Sequence, residues 1–190
     1  MSEKKIAVVT GGSAGIGEAA ARALADDGYT VYVCARRKEL CERIAGEIGG
    51  VGVELDVTDQ GSVDKLAAQL ERVDVLVNNA GGAKGLDPLR DAKPEDWDWM
   101  YQTNVLGTVR VTKALYPALV AAEGLVINVG SVAGWDAYVG GSGYNAAKFG
   151  LRALTRAFRR EEVDAPIRIT EIDPGLSLIH ISEPTRRTPI

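Results

Sequence analysis

Histidine and cysteine are nearly absent from this sequence. Its one histidine is His180, and its two cysteines are Cys34 and Cys41. A Ser-His-Asp hydrolase and a His-ligated metal site are therefore not expected, and no metal ligands are predicted. Any general acid or base must come from Tyr, Lys, Asp or Glu. The cysteines have neither metal-binding nor redox spacing, so we expect free thiols in a reducing cytoplasm.

Positive charge and long apolar runs are also scarce. The 22 Lys and Arg residues are outnumbered by 26 Asp and Glu, which gives a net charge of −4. No basic cluster suggests a nucleic-acid partner. No apolar run reaches membrane-spanning length, and residues 2–5 lead straight into a strand-like run rather than a signal peptide. We therefore expect one globular cytoplasmic domain, without membrane or nucleic-acid partners, whose 190 residues bury a substantial core.

Six short apolar runs alternate with segments of helical periodicity. The runs predicted as strands are 5–10, 30–35, 51–55, 73–77, 125–129 and 167–172. The segments predicted as helices are the stretch after the first glycine cluster, 39–48, 58–70, 100–120 and 143–160, with Thr58 as an N-cap. This alternation predicts an α/β fold in which a parallel sheet carries helices on both faces.

A glycine-rich loop, TGGSAGIG at 10–17, joins the first strand to the first helix. Glycines let the backbone approach a dinucleotide pyrophosphate, and the helix start offers free N–H groups to it. The alternative is a tight turn that happens to be rich in glycine. After the second strand, Ala35 stands where NAD-binding folds carry an acidic residue, and Arg36 follows. This favours NADP(H) over NAD(H), unless Arg36 merely begins a basic surface helix.

Tyr144 and Lys148 are four residues apart in a predicted helix, so they share one face. An ammonium near a phenol favours the phenolate, and we expect Lys148 to lower the pKa of Tyr144 from about 10 toward 7 with help from a second cation. Ser131, after the fifth strand, could bring a hydroxyl to the same place. The alternative is an amphipathic surface helix with a solvated Tyr and Lys.

The other chemically interesting residues also follow strands. The carboxyl ends of the predicted strands carry the glycine loop, Asp56, Asn79, Ser131 and Pro174, and ligands of parallel sheets lie beyond those ends. One site at this edge is therefore predicted. Elsewhere, Trp97 and Trp99 are expected to be packing anchors. Asn104, inside a predicted helix, is expected to be solvated or bonded locally.

Taken together, these motifs resemble the short-chain dehydrogenase/reductase family over residues 5–175. The motifs are TGGSAGIG, Asp56-Val57, NNAG at 78–81, Asn104, Ser131, Tyr144-x-x-x-Lys148 and Pro174-Gly175. The resemblance implies a Rossmann-type doubly wound parallel sheet and NADP(H)-dependent hydride transfer. It implies four catalytic residues: Tyr144 as general acid/base, Lys148 lowering its pKa and holding the nicotinamide ribose, Ser131 positioning the substrate oxygen, and Asn104 organising a proton-relay water.

The same resemblance implies contacts with the cofactor along the whole sheet edge. The pyrophosphate would be contacted by Thr10, Gly11, Ser13, Gly15, Ile16 and Gly17, and the 2′-phosphate by Arg36 and Arg37. The adenine would be contacted by Asp56 and Val57, and the adjoining ribose by Asn79, Ala80 and Gly81. The nicotinamide end would be contacted by Tyr144, Lys148, Pro174 and Gly175. Such enzymes act on a small carbonyl or alcohol substrate, and a homodimer or homotetramer is expected by resemblance.

Within the family, residues 130–155 followed by IRITEIDPG look like the NADP-dependent 3-hydroxy acid (serine-type) dehydrogenases. A 3-oxoacyl-thioester reductase is the alternative within the family, and a non-catalytic NADP-binding sensor is the alternative outside catalysis. Substrate recognition lies largely after Pro174-Gly175, so the sequence leaves the substrate, its stereochemistry and the direction of reaction open.

Residues 176–190 do not continue the family pattern. Family members run further, through a substrate-covering segment and a seventh strand, whereas 176–186 resembles translated sequencing adapter. We therefore expect 1–175 to be an incomplete NADP-binding and catalytic domain with six strands, followed by a non-native tail at 176–190. The 190-residue chain itself is then expected to be nearly inactive, since it lacks the lid that excludes water.

Overall fold

The computed structural model describes residues 4–85 and 87–175. Its strands are β1 Ile6–Thr10, β2 Thr30–Ala35, β3 Val51–Glu54, β4 Val75–Asn78, β5 Leu125–Val129 and β6 Arg168–Ile172. Its α-helices are α1 Gly15–Asp26, α2 Lys38–Ile48, α3 Gln60–Ala67, α4 Pro94–Tyr101, α5 Gly107–Ala121 and α6 Ser142–Glu161. Each predicted strand is present, with its ends shifted by no more than two residues.

The six strands form one parallel sheet in the order β3-β2-β1-β4-β5-β6. Consecutive strands are parallel, so each connection crosses over through a helix, and the order reverses between β1 and β4. The predicted Rossmann-type, doubly wound architecture is confirmed. In such sheets a crevice opens beside the strands where the order reverses.

Both faces of the sheet are buried, which explains why the strands are continuous apolar runs. In β1, Val8 belongs to the core on the side of α3 and α5, where Leu115 is also buried. Its neighbours Ala7 and Val9 belong to the core on the opposite side, where Ile44 of α2 packs. Since successive side chains point to opposite faces, one strand contributes to both cores.

The predicted helix over 100–120 is wrong in one respect. The structure ends α4 at Tyr101, inserts a π-helical turn at Gln102–Leu106 and begins α5 at Gly107. In this turn the Asn104 side chain donates a hydrogen bond of 2.8 Å to the Met100 carbonyl. A side chain inserted into the backbone ladder in this way is a recognised cause of such an interruption.

Thr58 is not the N-cap of α3. The cap is Asp59, whose side chain accepts a 2.9 Å hydrogen bond from Gly61 N–H. Thr58 instead donates through its backbone N–H and its hydroxyl to Asp56 Oδ1, at 2.9 and 2.7 Å. Over the residues that the structure describes, no helix is both long enough and apolar enough to cross a bilayer.

Candidate active site

A groove of about 850 Å³ lies at the carboxyl edge of the sheet, beside the point where the strand order reverses. Ten predicted cofactor residues line it: Gly11, Ser13, Ile16, Arg36, Arg37, Asp56, Val57, Asn79, Ala80 and Gly81. The structure therefore brings the glycine loop and the ends of β2, β3 and β4 to one cavity. Its volume is in the range of binding sites for nucleotide-sized ligands.

The glycine loop has the geometry of an anion-binding turn. Gly11 and Gly15 adopt φ values of +65° and +56°, which favour glycine. A Cβ on Gly15 would have no neighbour within 4 Å, so open space lies beside the loop. The helix α1 begins at Gly15, and no side chain caps it. Its first N–H groups therefore form the positive end of the helix dipole and can bind an anion. These residues fit a dinucleotide pyrophosphate.

Gly17 and Thr10 hold this loop rather than line the groove. A Cβ on Gly17 would collide with the Gly11 carbonyl and with Asn79 Nδ2, so only glycine fits between them. The buried Thr10 hydroxyl donates to Val77 O and accepts 3.0 Å hydrogen bonds from the backbone N–H groups of Asn79 and Ala80. Thr10 thereby joins the ends of β1 and β4, the two strands that flank the crevice.

A cationic corner occupies the β2 side of the groove. Arg37 Nη2 donates a 3.0 Å hydrogen bond to Ser13 Oγ, and Arg36 lines the groove beside it. Asp56 is held at the end of β3, where its backbone N–H bonds Ser62 Oγ at 3.1 Å. This corner can accept a phosphate group more readily than an uncharged ribose hydroxyl.

Lys148 is buried next to Tyr144 on α6, as their spacing predicts. Its ammonium lies 5.7 Å from the centroid of the Tyr144 ring and donates a 2.9 Å hydrogen bond to the Val129 carbonyl at the end of β5. Burial lowers the pKa of Lys148 to about 8, and the neighbouring Glu171 and Asp173 carboxylates oppose that shift. A lysine so perturbed, with its ammonium at the carboxyl end of a parallel strand, is typical of a functional site.

Lys148 alone does not produce the expected fall in the pKa of Tyr144, and the part of that expectation that depends on a second cation stays a prediction. Burial raises that pKa, a hydrogen bond with Ser131 acts against the rise, and Tyr138 adds to it. The Lys148 ammonium is committed to the Val129 carbonyl, and its charge does not offset the burial of the phenol. The sequence shows that the two side chains share a helix face, but it does not show how deeply the phenol is buried.

Ser131 lies at the end of β5 and begins a short 3₁₀ turn, Val132–Gly134. Its hydroxyl accepts a 3.1 Å hydrogen bond from Ala133 N–H, and the Ser131 side chain lies close enough to Tyr144 to act against the rise in that phenol's pKa. Val132 N–H donates to the Pro174 carbonyl at 3.2 Å, so the end of β6 lies against the same turn. A Cβ added to Gly175 would meet nothing within 4 Å.

Asn104 is almost completely buried and joins two segments next to the groove. Its Nδ2 donates to Met100 O at 2.8 Å and to Gly82 O at 2.9 Å, while its Oδ1 accepts from Gly82 N–H at 3.2 Å. The prediction of local bonding is therefore partly right, since the contact with Gly82 is not local. Its predicted role in ordering a water molecule stays a prediction.

Six residues that line the groove were not among the predicted cofactor contacts: Ala14, Ala35, Leu55, Thr58, Trp99 and Thr103. Trp97 and Trp99 pack around Met100 as expected, but Trp99 also faces the groove. Thr103 lines it too, and its buried hydroxyl has no hydrogen-bond partner among the described residues. Thr103 lies in the π-helical turn, which sequence periodicity does not reveal. In the described part of the chain, no three His, Cys, Asp or Glu side chains gather as a metal-binding group.

The predictions for residues 176–190, a non-native tail in place of a seventh strand and a lid, lie outside the described residues.

Comparison with known proteins places this geometry among dehydrogenases. A family model described as short chain dehydrogenase matches residues 5–189. The uncharacterized oxidoreductase Rv0484c of Mycobacterium tuberculosis is 53% identical over 175 residues, covering 92% of this chain and 70% of that protein. The NADP-dependent 3-hydroxy acid dehydrogenase YdfG of Salmonella typhi is 38% identical, over 90% of this chain and 72% of that protein. A solved closed form of serine dehydrogenase complexed with NADP+ is 36% identical with a TM-score of 0.86, covering 90% and 72% of the two chains.

Proposed function

This chain belongs to the short-chain dehydrogenase family, and from that premise we propose that it is an NADP(H)-dependent oxidoreductase acting on a small 3-hydroxy acid or the corresponding carbonyl compound. One observation supports the proposal most strongly. Ser131, Tyr144 and Lys148 lie at the carboxyl edge of the sheet, and the dinucleotide groove opens at the same edge. In this proposal residues 1–175 form the NADP-binding and catalytic domain.

Each of the three side chains has a distinct task in this reaction. In reduction, the Tyr144 hydroxyl gives its proton to the substrate oxygen as the carbonyl becomes an alcohol, and Ser131 holds that oxygen by a hydrogen bond. Lys148 keeps a positive charge close to the phenol as negative charge develops on it. When bound, the nicotinamide supplies the hydride, and its oxidised ring is cationic. In oxidation Tyr144 accepts the alcohol proton.

The preference for NADP(H) over NAD(H) is supported by the cationic corner. Arg37 is already oriented by Ser13, and Arg36 lies beside it at the end of β2, where an acidic residue would hold a ribose hydroxyl. A bidentate guanidinium suits the additional phosphate of NADP. The names of the relatives support the same choice, since YdfG is described as NADP-dependent.

A matched pair of tyrosine variants tests the activity. We would fuse residues 1–175 to the C-terminal segment of the M. tuberculosis relative, which replaces 176–190, and assay L-serine, 3-hydroxybutyrate and an acetoacetyl thioester. Tyr144→Phe should keep NADPH affinity within about threefold but lose about 10³-fold or more in kcat, because the proton donor is gone. Tyr116→Phe, whose hydroxyl bonds Glu162 on another face, should retain kcat.

The outcomes separate the competing functions. Preference for the thioester would favour the 3-oxoacyl-thioester reductase over the 3-hydroxy acid dehydrogenase. Tight NADPH binding without turnover of any substrate would favour a sensor, and full activity of Tyr144→Phe would contradict the proposal. The unfused 190-residue chain is expected to bind NADPH with little turnover.

A homodimer or homotetramer through α5 and α6 is proposed as the working assembly. These helices border an apolar groove of about 440 Å³ lined in part by Tyr116, Leu154 and Phe158. Val109 and Phe149 on the same helices are 36% and 43% exposed, which is typical of a surface covered by another copy. Sedimentation analysis of wild type and Phe149→Lys tests this, since the lysine should shift the protein to monomer.

A cytoplasmic location is proposed from the state of the cysteines. Cys34 and Cys41 are both free and buried, and burial raises the pKa of each thiol. Such thiols suit a reducing compartment. Thiol titration of the denatured protein, isolated under alkylating conditions, should count both as free, and a disulfide would contradict this location.

A further inference from the structure

Two N–H groups of the turn that begins at Ser131 donate hydrogen bonds to the carboxylate of Asp173, which follows β6. Asp173 Oδ1 accepts a 3.0 Å hydrogen bond from Ser131 N–H, and Asp173 Oδ2 accepts a 2.7 Å hydrogen bond from Trp135 Nε1–H. Both oxygens are therefore engaged, one by the residue that lies beside Tyr144 and one by the far end of the same turn. Hydrogen bonds to an ionised acceptor are among the stronger ones in proteins.

Gly130, which follows β5, leaves room for the Asp173 carboxylate. A Cβ on Gly130 would collide with Asp173 Oδ1 and lie 3.0 Å from Glu171 Oε1, so glycine at this position leaves room for both carboxylates. Gly130 N–H donates to the Ile172 carbonyl at 2.8 Å, which fixes the two strand ends against each other. The approach of Asp173 to the turn thus depends on the pairing of β5 with β6.

A second contact holds the turn from α6. Arg152 Nη1 donates a 3.0 Å hydrogen bond to the Gly134 carbonyl, and its guanidinium lies over the Trp135 ring. The charged groups that act on Asp173 are Glu171 of β6, which also shares a side-chain hydrogen bond with it, and Lys148 of α6. Arg152 acts on Glu171. Trp135 is therefore held on one side by a carboxylate and on the other by a cation.

We propose that Asp173 is a positioning residue that, by binding Ser131 N–H and Trp135 Nε1–H together, sets the place of the Ser131 hydroxyl against Tyr144. Without this contact the turn keeps its hydrogen bond from Arg152 but loses its anchor at Ser131, so the Ser131 hydroxyl shifts away from Tyr144. The catalytic consequence rests on the proposed function, whereas the contact itself can be tested without turnover. Misplacing a catalytic group by about 1 Å can cost about 100-fold in rate.

The pKa of Tyr144 in the 190-residue chain is a direct readout of this position. The hydrogen bond from Ser131 lowers that pKa, so its loss should raise it by about 0.5–1 unit. Removing the negative charge of Asp173 acts in the opposite direction, because a distant carboxylate disfavours the phenolate. The sign of the change therefore distinguishes lost positioning from an effect of charge alone.

The experiment is a titration by NMR of the chain labelled with ¹³C at the tyrosine ring, with the Tyr144 signal assigned through Tyr144→Phe. Asp173→Ala should raise the Tyr144 pKa, though by less than Ser131→Ala does, because the negative charge of the carboxylate, which disfavours the phenolate, is lost as well. Asp173→Asn keeps an acceptor for Ser131 N–H and should not raise it, and this variant also serves if Asp173→Ala does not fold. The ¹H–¹⁵N indole signal of Trp135 should move upfield in both variants, since its carboxylate partner is lost.

The matched control is Asp74→Asn at the opposite edge of the sheet. Asp74 also joins a backbone N–H, that of Ile6 at 2.8 Å, to a side-chain donor, Arg72. This variant also loses a carboxylate that joins two donors, but it should leave the Tyr144 pKa unchanged. An equal rise in Asp74→Asn and Asp173→Ala, or a fall in Asp173→Ala, would overturn the proposal.

Kinetics of the fused enzyme give the catalytic outcome. Asp173→Ala should lower kcat for the preferred substrate by about 10–100-fold with little change in NADPH affinity, and Asp173→Asn should recover most of it. Unchanged kcat in Asp173→Ala overturns the positioning role and leaves the proposed function standing. A silent wild-type enzyme overturns the proposed function and the catalytic role together, while the NMR titration still decides the contact.

Discussion

Replacing the buried Lys148 with methionine is expected to stabilise the fold while abolishing turnover. Burial lowers the pKa of Lys148 from 10.5 to about 8. At about 1.4 kcal/mol per pKa unit, keeping this ammonium charged in the folded state costs about 3 kcal/mol. Methionine has a similar length and no charge, so it removes that cost.

The gain is reduced by the contact that the ammonium makes. Lys148 donates to the Val129 carbonyl at 2.9 Å, and losing that hydrogen bond costs about 1 kcal/mol. A net gain of about 2 kcal/mol remains, which corresponds to a rise in Tm of about 4–8 °C for a chain of this size. The buried Lys148 ammonium thus lowers the unfolding free energy of the protein while it keeps a cation beside Tyr144. Such a loss of stability is common at catalytic positions.

The pH dependence supplies the sharper test. Since the folded-state pKa lies below the unfolded value, the cost is present in full below about pH 8. It diminishes between about pH 8 and 10.5, where the unfolded chain binds the proton more tightly than the folded one. The difference in unfolding free energy between Lys148→Met and wild type should therefore be largest at pH 7 and shrink at pH 10.

Urea denaturation at pH 7, 8.5 and 10 measures this difference, and taking it between two proteins cancels the titration of the other groups. Lys113→Met, at an exposed position of α5, is the control and should change stability by less than about 0.5 kcal/mol at every pH. A Lys148→Met variant that is less stable than wild type at pH 7, or a difference that does not vary with pH, would refute the reasoning.

Three further substitutions test the groove and the core. Gly17→Ala should weaken NADPH binding by at least about 30-fold, because the new methyl group collides with the Gly11 carbonyl; fluorescence titration of NADPH measures it. Arg37→Ala should weaken NADPH binding about tenfold and leave NADH binding unchanged in the same titration, since only NADPH carries the additional phosphate. Asn128→Ala should lower the unfolding free energy by about 2–3 kcal/mol, measured in urea, because Asn78 and Thr155 lose a buried hydrogen-bond partner.

Each of these variants has a control on the same chain. Gly46→Ala lies inside α2 with nothing within 4 Å of its new methyl group, and it should stabilise the helix without affecting NADPH. Arg43→Ala removes an exposed cation from α2 and should leave the affinity for both cofactors unchanged. The exposed Gln69 amide donates to the Lys65 carbonyl one helical turn away, so Gln69→Ala should cost less than about 0.5 kcal/mol. Equal effects in variant and control would contradict the corresponding prediction.

The order of the elements was predictable because the central strands β1, β2, β4 and β5 are largely buried and each strand is followed by a polar or glycine-rich break. The run at 125–129 matches β5 at both ends for this reason. The helix over 100–120 was predicted without its interruption, because an apolar period of 3.6 continues through the π-helical turn. The Asn104 side chain marks the turn by its hydrogen bonds to Met100 and to the distant Gly82, and side-chain contacts of this kind leave no periodic signal.

In the candidate site, too, the features set by local sequence were predictable and those set by distant contacts were not. Placing the motifs at strand ends is enough to locate it, since the parallel register of β1 with β4 and of β5 with β6 brings those ends together. The electrostatics of the site require more than location. The pKa of Tyr144 depends on how far α6 buries the phenol, and the placing of Ser131 depends on Asp173, 42 residues away along the chain. The spacing of Tyr144 and Lys148 within one helix can therefore identify an acid and its neighbouring cation. Their pKa values, however, are set by burial and by contacts that only the folded structure shows.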